Sequence, residues 1–164
     1  MGSRPGDVDP GIIQYIIDKE FNNGKKMDDI VTMLNKECGL TGITGGVQDM
    51  REIIDGKNKK DEKCELAYTM FCNRVKKYIG YFIAEMNGCD LILFTGGIGE
   101  NSPDIRKSIL ENMDFLGIKI NDEINNKIIG DDCLISSDDS KIKVVVIRTN
   151  EEFVIAKDTY DLTK

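Results

Sequence analysis

Leu91-Ile92-Leu93-Phe94-Thr95-Gly96-Gly97-Ile98-Gly99-Glu100-Asn101 is the stretch on which the fold of this chain turns. Residues 91–94 form an uninterrupted apolar run, too short for a helix and bounded by turn formers, which predicts a strand buried on both faces. Gly96, Gly97 and Gly99 then remove three side chains in four positions, so the backbone can take positive φ and a ligand can reach main-chain N–H groups. Ser102-Pro103-Asp104 reads as N-cap, proline at the first helical position and first-turn acid, so a helix is expected where the glycines stop. Strand, glycine turn and helix in that order make a nucleotide-site arrangement.

Working outward, residues 61–86 keep apolar side chains in steps of three, one and four, from Cys64 through Phe71, Val75, Ile79 and Phe82 to Met86. This predicts one long helix, ended by Asn87-Gly88 and lying along the sheet that contains residues 91–94. Upstream, Asp9-Pro10 opens a helix that closes at Gly24, and a second amphipathic helix runs from Met27 to Gly39. Residues 40–47, with three glycines and two threonines, read as an ordered loop leading into Asp49. Downstream of the glycines, residues 115–120 read as a second strand around Gly117, residues 133–136 and 143–148 as further strands, and Asn150 as the cap of a final helix. The last helix is expected to pack on the sheet beside the long one.

At 164 residues the chain suits one domain with a real core, taken as residues 1–164. A formal charge of −7 argues against a nucleic-acid partner, because that affinity comes from Lys and Arg neutralising phosphates. No apolar run is long enough to cross a bilayer and no signal peptide is visible, so a cytoplasmic, membrane-free location is expected. Five cysteines without any Cys-x-x-Cys pair read as reduced thiols, and the absence of histidine excludes Ser-His, Cys-His and His-metal sites within the chain.

The glycine segment has competing readings. Glycines between a strand and a helix can simply make a tight connection. A Rossmann dinucleotide site would use Gly97-x-Gly99-x-x-Ser102 as a degenerate fingerprint and Asp122 as the ribose acid, but its third glycine is missing and no repeated βαβ unit follows. A P-loop is excluded because no Gly-Lys-Ser/Thr closes the turn.

The segment Phe94-Thr-Gly-Gly-Ile-Gly-Glu-Asn-Ser102 resembles the adenosine-contacting motif of the acetate kinase family, in the sugar kinase, Hsp70 and actin superfamily. Three further segments resemble family motifs in order and spacing: the opening Met-Gly-Ser-Arg-Pro-Gly-Asp-Val-Asp-Pro-Gly, then Asp49-Met50-Arg51, then Arg148-Thr-Asn-Glu-Glu152. The resemblance implies an α/β fold, part of a ribonuclease-H-like C-terminal lobe with a partial mixed sheet flanked by helices and the lobe's first strands missing. It implies ATP/ADP and Mg as cofactors, with Gly96, Gly97, Ile98, Gly99, Glu100 and Asn101 holding adenine and ribose and Asp49, Met50 and Arg51 lining the same pocket. Arg4 matches the arginine of the phosphoryl-transfer centre, where a planar guanidinium spreads charge stabilisation over the moving phosphoryl group. Glu151 matches the metal-associated acid, with Glu152 as the alternative; a glutamate there is equally explained by the helix dipole.

The implied reaction is reversible, Mg-dependent transfer from ATP to acetate, giving acetyl phosphate, with propionate as the alternative acceptor. Family members are longer, and the histidines, aspartate and phosphate-binding segments of their earlier part do not occur here. The implied partners are therefore adenine nucleotide, acetate or acetyl phosphate in the whole enzyme, and the missing N-terminal part of that enzyme. A reading of a different class makes the chain a non-catalytic module that binds nucleotide weakly or forms a homo-oligomer through its uncovered surface.

Overall fold

Helix capping sets the first third of the chain. The computed structural model describes residues 2–164; Met1, the head of the opening loop, lies outside the described residues. The chain divides into two compact units, one ending at Asn73 and the other spanning Arg74–Lys164. In the first, Asp9 accepts from the Gly11 N–H and Pro10 takes the first turn of α1 (Pro10–Asn22). The Asp29 carboxylate accepts from the Lys26 N–H at 2.9 Å and fixes the start of α2 (Met27–Lys36), whose Ile30 is buried.

Residues 40–47 are not the loop expected from their glycines. They contribute to α3 (Gly39–Thr44), which ends at Gly45 in the left-handed conformation, φ 83°. A distant acceptor offsets the poor propensity: Gly2 O receives both the N–H and the Oγ1 of Thr41, each at 2.9 Å. Asp49 then caps α4 (Met50–Asn58), and Asp61 accepts from the Cys64 N–H at 2.8 Å at the start of α5 (Glu62–Glu85). Ile30, Leu40, Met50, Ile53, Cys64, Ala67, Tyr68 and Cys72 are buried.

The long helix is present, but its buried residues all lie in its first half, ending at Cys72. Tyr81 and Phe82 are 57% and 54% exposed, so the second half does not bury its apolar stripe as expected. Periodicity reports that a face exists, and burial depends on what lies opposite it.

In the second unit, β1 (Leu91–Phe94) leads through Thr95 into α6 (Gly96–Asn101) and then α7 (Pro103–Leu110). After a 3-10 turn at Asp114–Leu116 come α8 (Asp122–Lys127), β2 (Cys133–Leu134), β3 (Lys143–Val146) and α9 (Glu151–Leu162). The sheet order is β1-β3-β2, with β1 parallel and β2 antiparallel to β3. Phe94 and Cys133 both stand opposite Val146. This is the mixed α/β architecture expected, a small sheet flanked by helices.

Three local expectations are corrected. Ile92 and Phe94 are buried but Leu91 and Leu93 are exposed, so β1 is covered on one face only. Residues 115–120 do not form a strand: Gly117 turns left-handed at φ 75°, which breaks the two-residue period and leaves an isolated bridge between Ile120 and Ser136. Helix α9 starts where expected, with Asn150 Oδ1 accepting from the Phe153 N–H at 3.0 Å, yet every residue in it is exposed and it does not pack on the sheet.

The α4–α5 packing makes a testable demand. A Cβ placed on Gly56 would stand 2.4 Å from Cys64 Sγ and 2.9 Å from its Cβ, so the two helices meet where only hydrogen fits. Gly56→Ala is expected to cost about 1–3 kcal/mol in urea denaturation through overpacking. Adding Cys64→Ala should restore part of that loss, and strictly additive losses in the double variant would contradict the contact.

Candidate functional site

The segments singled out above are assembled in pairs, one pair in each unit. In the first unit, the opening residues are fastened to the corner between α2 and α3. Ser3 O accepts from the Cys38 N–H at 3.0 Å, and Ser3 Oγ donates to Asn35 O at 3.0 Å. A Cβ on Gly2 would stand 3.7 Å from Gln48 Cβ, one residue ahead of Asp49. Arg4, two residues after Gly2, is exposed.

Those three residues do different things. Asp49 caps α4 by accepting from the Arg51 N–H at 2.8 Å, and the Arg51 guanidinium forks onto both its oxygens, at 3.1 and 2.6 Å. The Arg51 side chain, and then its N–H, pull the Asp49 carboxyl down to about 2, so the pair is ionised at neutral pH. Met50 is buried and Arg51 exposed. Only Arg51 turns a charged plane outward.

In the second unit, the glycine segment is helical, where an open turn was expected. Thr95 arrives extended, Gly96 takes φ +72°, and the side chains at the segment's far end fold back onto it. Asn101 Nδ2 donates to Gly97 O at 2.8 Å, and Glu100 Oε1 accepts from the Gly96 N–H at 2.8 Å. These bonds supply what a glycine-rich backbone lacks in intrinsic helix preference. A Cβ on Gly97 would meet nothing within 4 Å, so that backbone is open to a ligand, whereas one on Gly99 would touch Phe94.

Glu100 also reaches the loop after β3, accepting from the Thr149 N–H at 2.8 Å and from Thr149 Oγ1 at 3.0 Å. The Thr149 N–H, chiefly, holds its carboxyl below the ordinary glutamate range. The same loop walls an open cleft of about 820 Å³ lined by Asp132, Arg148, Thr149, Asn150, Glu151 and Glu152. Asp132 shapes it by accepting from the Arg148 N–H at 2.8 Å. Among the described residues no cluster of three or more Cys, Asp or Glu side chains is placed to hold a metal ion, so Glu151 and Glu152 can give a cation only part of its shell.

Arg106 is the residue that motif reading missed. It is fully buried and makes five hydrogen bonds, all to carbonyl oxygens. Nη1 holds Gly99 O and Glu100 O, at 2.8 and 3.0 Å. Nη2 holds Asn125 O and Ile128 O, and Nε holds Asn125 Oδ1 at 2.9 Å. Asn125, also fully buried, returns a bond to Pro103 O at 3.1 Å. Burial pulls the guanidinium below its usual value, though it stays charged at any pH at which the protein folds. A signal was available: Arg106 shares the inward helical stripe of Ile109, Leu110 and Met113, where an arginine is out of place unless it is bonded on all sides.

The small mixed sheet flanked by helices matches solved acetate kinase structures, which have the actin-like ATPase fold. The chain belongs to the acetokinase family, whose family model matches residues 1–157. It is 45% identical over 164 residues to a curated acetate kinase of Bacteroides thetaiotaomicron, spanning 100% of this chain and 40% of that protein. A crystal structure of Porphyromonas gingivalis acetate kinase superposes with a TM-score of 0.90 at 39% identity, covering 100% of this chain and 40% of that one. A propionate kinase from Francisella tularensis gives 0.82 at 40% identity, over 95% of this chain and 38% of that one. The chain thus spans about 40% of the length of the curated relatives it matches.

The guanidinium staple predicts its own loss. Arg106→Met removes five hydrogen bonds at once, with Glu100 O and Asn125 O keeping the Gly130 and Ile128 N–H groups, and is expected to cost about 3 kcal/mol or more, read as a lower urea midpoint at unchanged slope. Arg106→Lys should recover little, because one ammonium cannot span acceptors that a planar fork reaches.

Proposed function

We propose that these 164 residues are the C-terminal, nucleotide-binding portion of an acetate kinase, taking part in reversible, Mg-dependent phosphoryl transfer between ATP and acetate. The observation that carries this reading is the bond from Thr149, just ahead of the acids that start α9, to Glu100 in Gly96–Asn101, in a chain whose family match covers residues 1–157. In this reading the backbone of Gly96, Gly97, Ile98, Gly99, Glu100 and Asn101 receives adenine and ribose. Asp49, Met50 and Arg51 contribute the second nucleotide contact, with the Arg51 plane as the group available to stack or donate.

Arg4 would stabilise charge on the transferring phosphoryl group through a fixed fork of donors. Glu151 fits Mg as one carboxylate, the usual complement being phosphate oxygens and water rather than a protein cage. Glu151, beside the Asp132-braced loop, would hold the cation, which would supply charge neutralisation at the phosphates. The groups that receive acetate and the rest of the triphosphate belong to the remaining part of the enzyme, which is also the partner proposed for the exposed faces of α9 and the second half of α5. Propionate replaces acetate in an alternative reading, supported by the likeness to the Francisella propionate kinase.

The purified chain is expected to bind ADP weakly and to form no acetyl phosphate from ATP and acetate. Phosphoryl transfer depends on groups placed around both ends of the reacting phosphate, and half a site cannot align them. Calorimetry with ADP should show heat for the native chain and at least a tenfold weaker isotherm for Gly97→Asp, a change that the open space at Gly97 lets fold. Absence of heat with both proteins overturns nucleotide binding, and acetyl phosphate formation free of host kinase overturns the dependence on a missing part.

The exposed apolar side chains of α5 and α9 favour a second reading, an assembly module that self-associates. Sedimentation decides it: a monomer at high concentration removes this reading and leaves the kinase portion.

A further inference from the structure

We infer that Glu100 is a positioning residue that couples the glycine segment to the acid-bearing loop, so that occupancy of one is felt by the other. The inference rests on the nucleotide reading for its ligand and on this chain's own bonds for its wiring.

One oxygen, Glu100 Oε1, collects three donors: the Gly96 N–H at the entrance of α6, and the N–H and Oγ1 of Thr149, forty-nine positions away. The residue is 9% exposed, so little water competes for that oxygen. Its side chain is thereby withdrawn from ligand contact, and only its backbone faces the segment's task.

Each joined segment is otherwise held by its own set of bonds. Arg106 clamps Gly99 O and Glu100 O, and the Gly130 N–H adds a bond to Glu100 O at 3.1 Å. The loop is held by Asp132 on the Arg148 N–H and by the Ile147 N–H on Phe94 O at 2.9 Å. Thr149 immediately precedes Asn150, whose side chain caps α9 and so sets Glu151 at its first position. A movement of Gly96 therefore displaces an acceptor that Thr149 shares, and Thr149 carries the displacement to Glu151. Coupling of this kind is reciprocal. Arg148 is the charged neighbour that adds to the low affinity of this carboxyl for protons.

Adenosine is the probe, because it has no phosphate to bind metal and so cannot bridge the two segments itself. In amide NMR spectra of the native chain, adenosine should shift residues 96–101 and also residues 149–152. Glu100→Gln keeps an oxygen in place for all three donors and should transmit the shifts. Glu100→Met removes the acceptor and should confine the shifts to 96–101, with affinity about tenfold lower. Loop shifts absent from the native chain while residues 96–101 do shift, or fully retained in Glu100→Met, overturn the coupling.

A pH titration keeps the wiring testable if Glu100→Met fails to fold or adenosine does not bind. The Gly96 and Thr149 amides of the native chain should follow one common midpoint, below the ordinary glutamate value of about 4.3, and both transitions should vanish in Glu100→Gln. Separate midpoints overturn the inference. No adenosine shift together with a common midpoint overturns the nucleotide reading and leaves the link standing.

Discussion

A buried guanidinium with carbonyl oxygens as its partners is the constraint on which the second unit depends. An arginine removed from water is tolerated only when its donors are satisfied, and Arg106 achieves this by drawing in the carbonyls of α6 and of the α8 region. Carbonyls at the ends of short helices need donors, and short helices seldom supply them internally. Arg106 therefore solves two deficits at once. With α6 fixed in this way, the Glu100 carboxylate points to Thr149, and the loop that begins α9 takes its place.

The first unit uses carboxylates and main-chain carbonyls for the same purpose. Asp9, Asp29, Asp49 and Asp61 each satisfy a free N–H at a helix start, and Gly2 O completes a helix whose sequence argues against it. Single exposed ion pairs such as Arg51 with Asp49 contribute little to stability. Their effect is to hold a side chain in one orientation.

Apolar residues left uncovered mark where these units end energetically. A twelve-residue helix with no buried side chain gains nothing from packing, and α9 has six apolar or aromatic residues in that position, Phe153, Val154, Ile155, Ala156, Tyr160 and Leu162. The second half of α5 and the outward residues of β1 share this condition. Such faces accord with a chain spanning about 40% of its relatives' length.

Much of the architecture was legible in the order of residues. The caps at Asp9 and Asn150, the long helix, and the strands at Leu91–Phe94 and within residues 143–148 follow from local chemistry, while the family was legible only through a resemblance of segments. Local patterns carry this information because capping, turn formation and periodicity act over a few residues. The helix at Gly39–Thr44, the helical form of the glycine segment and the one-sided burial of β1 were not legible, since each depends on a partner distant in sequence or on what stands opposite a face. The roles of Arg106, Glu100 and Thr149 belong with them. Sequence alone determined which segments could carry the chemistry; tertiary structure decided that Glu100 serves Thr149 and Gly96 rather than solvent, because a buried oxygen takes whatever donors the fold brings within reach.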